Sequence, residues 1–166
     1  MRLIIQASAG VDRACLFLAK VALVGMVLTV LLQIWARYGF DYPFVWTEEL
    51  ARYFMVWGGL LGATCAFKRR LDPTVTVLSD DAAAWRKLAG RMFLSLTLVI
   101  FFVPVLYHSF FGPDMNVQRG FLWRSSNRVS PGLGLNMAAV GSIVPLSCLI
   151  TLLHLVARLT NQETRS

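Results

Sequence analysis

Residues 37–66 read RYGFDYPFVWTEELARYFMVWGGLLGATCA, from Arg37 to Ala66. The stretch closes one apolar run, turns through Pro43, and places Trp46, Glu48, Glu49 and Arg52 at the mouth of a second apolar run. Acidic pairs at the edge of a hydrocarbon layer are costly unless something holds them. Pro43 stops the preceding chain from continuing as a regular helix. Thr47 is placed to cap the new helix, and Glu48 and Glu49 fall in its first turn, where the helix dipole favours negative charge. Arg52 is four residues after Glu48 and three after Glu49, so both acids are within its reach on one helix face. Further along, Gly58, Gly62 and Ala66 repeat at spacing four, with Gly59 and Ala63 beside them. Such rows let another membrane helix approach closely.

The composition around this stretch agrees. Of 166 residues, 57% are hydrophobic and 15% charged, and mean hydropathy is +0.61. A soluble domain carries roughly 25% charged residues. The chain therefore reads as an all-α integral membrane protein, a single domain over residues 1–166 with four spans. The spans are placed at about 15–36, 47–67, 92–111 and 131–157, each long enough for a ~30 Å core. Gln33 and Arg37 lie four apart near the end of the first. Pro104 and Pro145 are expected kinks in the third and fourth. Ser130-Pro131 is a good start for the fourth helix. Asp80 and Asp81 can open a short interfacial helix carrying Trp85 and Leu88.

A net charge of +7 would point to nucleic acid in a soluble chain. Here it reflects basic residues at a membrane surface, and no nucleic-acid partner is expected. Eleven Lys and Arg fall on the side of the termini and the 68–91 loop, and five on the other: Arg37, Arg52, Arg119, Arg124 and Arg128. The positive-inside rule then puts both termini in the cytoplasm and the 37–52 region at the outer face. The start is expected to be a retained helix, because its apolar run is too long for a signal peptide. Cys15, Cys65 and Cys148 sit in apolar runs without metal spacing and read as small buried residues.

No set of residues points to catalysis, and no cofactor is expected. His108 and His154 fall at opposite depths, which does not suit one haem. A transporter with its own path usually has polar groups or broken helices near the midplane. This chain has little of either, which favours an auxiliary subunit. A haem-holding redox subunit and an independent small transporter acting as an oligomer stand as alternatives. The charged group at the second helix either fixes helix depth or docks another subunit. The glycine row packs within the bundle or against a partner. In the third loop, RGFLWRSSNR (Arg119 to Arg128) either anchors in lipid headgroups through Trp123 and its arginines or faces a periplasmic protein.

Arg37-Tyr38, Phe40, Pro43, Trp46, Glu48-Glu49, Ala51-Arg52 and Gly62-Ala63, with the later Ser130-Pro131 and Pro145-Leu146, resemble the DctQ-like small membrane subunit of TRAP (tripartite ATP-independent periplasmic) transporters. The resemblance covers the chain in length and layout, and about thirty residues specifically. One departure is Arg69-Arg70-Leu71-Asp72-Pro73, where a basic turn with a histidine before an apolar pair is expected. The resemblance implies a bacterial inner-membrane subunit of a sodium-coupled system for an organic acid of the dicarboxylate or sialic acid class. It implies two protein partners: a large transmembrane subunit with the substrate and sodium sites, and a periplasmic substrate-binding protein. Membrane lipids are the third contact. The small subunit would do no chemistry and would support the scaffold against which the transport domain moves. Within that role Arg37, Trp46, Glu48, Glu49, Arg52, Gly58 and Gly62 are structural or interface residues. Arg119, Trp123, Arg124 and Arg128 are the candidate periplasmic contact.

Overall fold

The computed structural model describes residues 2–39, 44–69 and 84–163. Its elements are α1 (Arg2–Gly39), α2 (Val45–Arg69), α3 (Ala84–Phe110), α4 (Phe121–Ser126), α5 (Met137–Gly141) and α6 (Ile143–Glu163), with 3-10 turns at Pro113–Met115 and Val117–Arg119. The described residues form no strand, only an isolated bridge between Val129 and Asn136. Four helical stretches are long and apolar enough to cross a membrane: Ile4–Gly39, Val45–Arg69, Met92–Phe110 and Met137–Thr160.

Helices are the natural outcome. In hydrocarbon each N–H and C=O must find its partner within the segment. Polar side chains in the spans obey the same constraint. Thr29, Thr64, Thr97, Ser109, Ser147 and Thr151 each turn the hydroxyl back onto a carbonyl three or four residues earlier, at 2.7–2.9 Å. Polar residues inside apolar helices are thereby satisfied locally.

The largest interface joins α1 and α2, and α6 packs on both. Their shared core is Cys15, Leu61, Cys65, Ile143 and Ile150. The three cysteines are free and buried, as small apolar residues are. Small residues set how closely α1 and α2 approach. The Phe54 ring lies against Gly25, where an added Cβ would meet it at 2.9 Å. A Cβ on Gly58 would stand 3.3 Å from Ala22 and 3.6 Å from the Ala19 carbonyl. Gly59 and Gly62 have nothing within 4 Å of that position. They line an open groove with Lys20, Leu23 and Met26. The glycine row therefore divides: Gly58 packs inside the bundle, and Gly62 does not. By contrast α3 stands apart. It meets α6 and α4, and 6% of its most apolar stretch is buried.

Several sequence expectations are corrected. The helix that contains the expected 15–36 span, α1, already starts at Arg2. At 38 residues it reaches about 57 Å, well beyond a ~30 Å core. Asp12 lies within it, buried and accepting from Arg69 at 3.2 Å. α3 runs unbroken from Ala84 through Pro104, so Trp85 belongs to the spanning helix and not to a separate one. The stretch from Asp80 and Asp81, like Pro43, lies outside the described residues. The fourth helix does not start at Pro131. It starts at Met137, with the Asn136 side chain accepting from the Ala138 N–H at 2.8 Å. Its break falls at Ser142, ahead of Pro145, which has no N–H to give to the Gly141 carbonyl.

The glycine division has a direct test. Gly58→Leu should destabilise the chain by about 1–3 kcal/mol, the usual range for overpacking. Gly59→Leu should leave the melting temperature in detergent unchanged.

Candidate functional site

The first turn of α2 is where the sequence concentrates its charges. Glu48 is exposed and pairs with Arg52 at 2.8 Å, one helical turn on. Both side chains are more than 60% exposed, so the pair adds little stability on its own. Glu49 does not share Arg52, which corrects the expectation that both acids reach it. Its Oε1 accepts from the Tyr53 hydroxyl at 2.6 Å. Its Oε2 accepts from the backbone N–H groups of Gly132 and Leu133 at 2.9 and 3.0 Å. Three donors thus converge on one carboxylate. Charge-assisted bonds of this kind are roughly twice as strong as neutral ones.

The receiving loop is built for this contact. Ser130 is buried, takes a 3.2 Å bond from the Leu133 N–H on its hydroxyl, and donates its own N–H to the Leu135 carbonyl at 2.8 Å. Gly134 has φ +67°, a left-handed conformation that closes the turn. Gly132 has to be glycine for a different reason. A Cβ there would lie 2.6 Å from Glu49 Oε2 and 3.1 Å from the Trp46 Cα. Thr47 is fully buried beside this contact, but it does not cap α2 as expected. Its hydroxyl donates to the Phe44 carbonyl at 2.6 Å, inside the first turn. Trp57, two turns below, donates its indole N–H to the Val140 carbonyl at 3.2 Å and ties α2 to α5. Trp46 is half-buried, with its ring 6.0 Å from that of Phe44. Arg37 is exposed at the end of α1 and is not bonded to Gln33.

A second polar cluster closes the opposite end. Ser8 Oγ and His154 Nδ1 are 2.9 Å apart and buried. Lys68 donates to the Ser8 carbonyl at 2.6 Å, and Arg69 to Asp12. Three helices, α1, α2 and α6, meet there. His154 is thereby occupied structurally, while His108 lies near the far end of α3 against Tyr107. The two histidines thus have different neighbours, on different helices.

Arg119, Arg124 and Arg128 are gathered around one cavity with His108, and Trp123 projects beside them, half-exposed. Tyr53, Gly132 and Leu133 were not singled out from the sequence. Tyr53 had a signal, since it stands four residues after Glu49 on the same face. The backbone amides had none beyond the glycines around them. Among the described residues no group of three or more His, Cys, Asp or Glu is placed to hold a metal ion.

The carboxylate cradle predicts an order of effects. Glu49→Ala should lower the melting temperature in detergent more than Glu48→Ala. Glu49→Gln should fall between, because it keeps one acceptor and brings an N–H₂ to face two N–H donors. Equal effects of Glu48→Ala and Glu49→Ala would contradict the cradle.

Comparison with known proteins agrees with this architecture. No solved structure matches the chain. A Haemophilus influenzae protein named "Putative TRAP transporter small permease protein" is 42% identical over 53 residues, which is 32% of this chain and 33% of that protein. The shared stretch thus spans about a third of the relative's length. The family model for the DctQ component of tripartite ATP-independent periplasmic transporters matches residues 26–165, most of the chain and all four of its membrane-crossing helices in whole or part. The four apolar helices and this match over most of the chain together make it a member of the DctQ family, a small transmembrane component of a TRAP transporter.

Proposed function

We propose that the chain is the small subunit that braces the large transport subunit of a sodium-coupled TRAP system. The substrate is an organic acid of the dicarboxylate or sialic acid class, delivered by a periplasmic binding protein. The complex lies in the bacterial inner membrane, with both termini of this chain in the cytoplasm, in line with the distribution of Lys and Arg.

The observation that carries this proposal is the Glu49 cradle. It locks the head of α2 to the 130–135 loop, while the Ser8–His154 and Asp12–Arg69 contacts lock the opposite end. A bundle tied at both ends resists shear, which a static support needs. The outer faces support the same role. α1 and α3 expose rows of large apolar side chains, Phe17, Leu28, Phe93 and Phe101 among them. Gly59 and Gly62 leave open space along α2 where another helix can seat. In this proposal Gly62 belongs to the surface for the partner, and Trp46, Glu48 and Arg52 hold α2 at the outer boundary.

The test is a mild-detergent pull-down of the tagged chain from its native membrane, with mass spectrometry of the co-purifying proteins. One large polytopic subunit in fixed ratio is the expected result. Gly62→Leu should reduce that recovery while leaving the chain's own melting temperature unchanged. Unchanged recovery with Gly62→Leu would remove the glycine face from the interface. Recovery of the chain alone would overturn the bracing role.

A further inference from the structure

At the end of α3 a cavity of about 400 Å³ opens between His108, Arg119, Phe121, Arg124, Ser125 and Arg128. Its size falls within the range of small-ligand sites. Neither the membrane spans nor the Glu49 cradle requires four basic side chains around one space.

The frame of the cavity is built by close contacts. A Cβ on Gly112 would overlap the Arg119 Cβ, and one on Gly120 would overlap the Phe110 carbonyl oxygen. The two glycines let the loop after α3 fold back on the helix end, which brings Arg119 beside His108. The Gly112 N–H donates to the Asn116 carbonyl at 2.9 Å and holds the fold-back. Phe121 sits on Gly141, where a Cβ would come within 2.7 Å of its ring, so α4 is seated against α5. Arg124 on α4 and Arg128 just beyond it then face the same space. Among the described side chains that line the cavity none is acidic, and among the described residues neither Arg124 nor Arg128 pairs with a carboxylate. Clustered guanidinium forks match the oxygens of a phosphate or carboxylate.

The surface of α3 below the cavity narrows the choice of anion. One helical face runs from His108 through Pro104, Phe101, Ile100 and Phe93. Phe101, Ile100 and Phe93 are 65%, 63% and 73% exposed. Trp123, half-exposed nearby, is a residue type enriched at headgroup depth. A small soluble anion gains nothing from that apolar row. A molecule with an anionic head and acyl chains uses both features.

We propose that this cavity is a binding site for an anionic phospholipid. The arginines and His108 hold the headgroup phosphate, and the acyl chains lie along the exposed row of α3. The site would fasten the fold-back loop to the bilayer.

The test uses the full chain with its co-purifying partners, delipidated in detergent. Native mass spectrometry compares phosphatidylglycerol with phosphatidylcholine of identical acyl chains. Wild type should retain the anionic lipid in preference. The R124Q/R128Q variant should lose about tenfold in affinity for it, the scale of two partly solvated charge-assisted contacts. R124K/R128K, which keeps the charge without the fork, should fall between. A second variant, I100S/F101S, leaves the arginines in place and should also weaken retention. It covers the case in which the arginine variant fails to fold, which a thermal melt reports. Equal retention of both lipids would overturn the proposal, as would unchanged retention in both variants. Inorganic phosphate bound as tightly as the lipid would overturn the role of the acyl chains. Loss of binding to a soluble acidic protein in R124Q/R128Q, with lipid retention intact, would reassign the arginines to a protein contact.

Discussion

A carboxylate at the edge of a membrane has to be held by donors, and in this protein that need shapes one whole end of the bundle. Glu49 finds three: the Tyr53 hydroxyl and the amides of Gly132 and Leu133. The fourth span begins at Met137, past a left-handed Gly134 that ends the turn opened at Ser130, and not at Pro131. Gly132 must lack a side chain for Glu49 to arrive at all. One contact thus sets which residue is glycine and how α2 is fixed to the other half of the chain.

The far end solves the same problem with different groups. Asp12 is buried where α1 passes the end of α2, and Arg69 supplies its charge partner. Ser8 and His154 join α1 to α6, and Lys68 binds the Ser8 carbonyl. Between the two ends the helices are held by packing among Cys15, Leu61, Cys65, Ile143 and Ile150. Polar groups in lipid are costly unless paired, and apart from the Trp57–Val140 bond the polar contacts described between these helices lie at the two ends, where they fix register without burdening the middle. What remains outside is apolar: most of α3, much of α1, and the open groove along Gly59 and Gly62. Such surfaces suit lipid or a second membrane subunit, which agrees with a family whose transporters are tripartite.

The family and the number of spans were legible in the chain because both rest on local signals. A run of about twenty apolar residues has one economical conformation in a bilayer, whatever its neighbours do. The charged turn at Trp46, Glu48, Glu49 and Arg52 was visible as a unit, and the Glu48–Arg52 pair follows from helical spacing alone. Glu49 was legible as important but not in its partners. Two of these are backbone amides more than eighty residues away, and an amide has no residue identity to read. The same limit applies to Asp12, whose partner Arg69 lies more than fifty residues away.

The sequence by itself determined that this chain is helical, crosses a membrane four times, and carries the pattern of its family. Hydrophobic length and helical periodicity are properties of neighbours along the chain, so no folded structure was needed to see them. Only the tertiary structure decided which glycines touch α1, which acid is exposed and which is cradled, where the fourth helix starts, and that three separated arginines and a histidine surround one space. Those outcomes depend on distances between segments far apart in the chain. Packing in three dimensions sets these distances, and here two folded-back loops and their glycines do most of that setting.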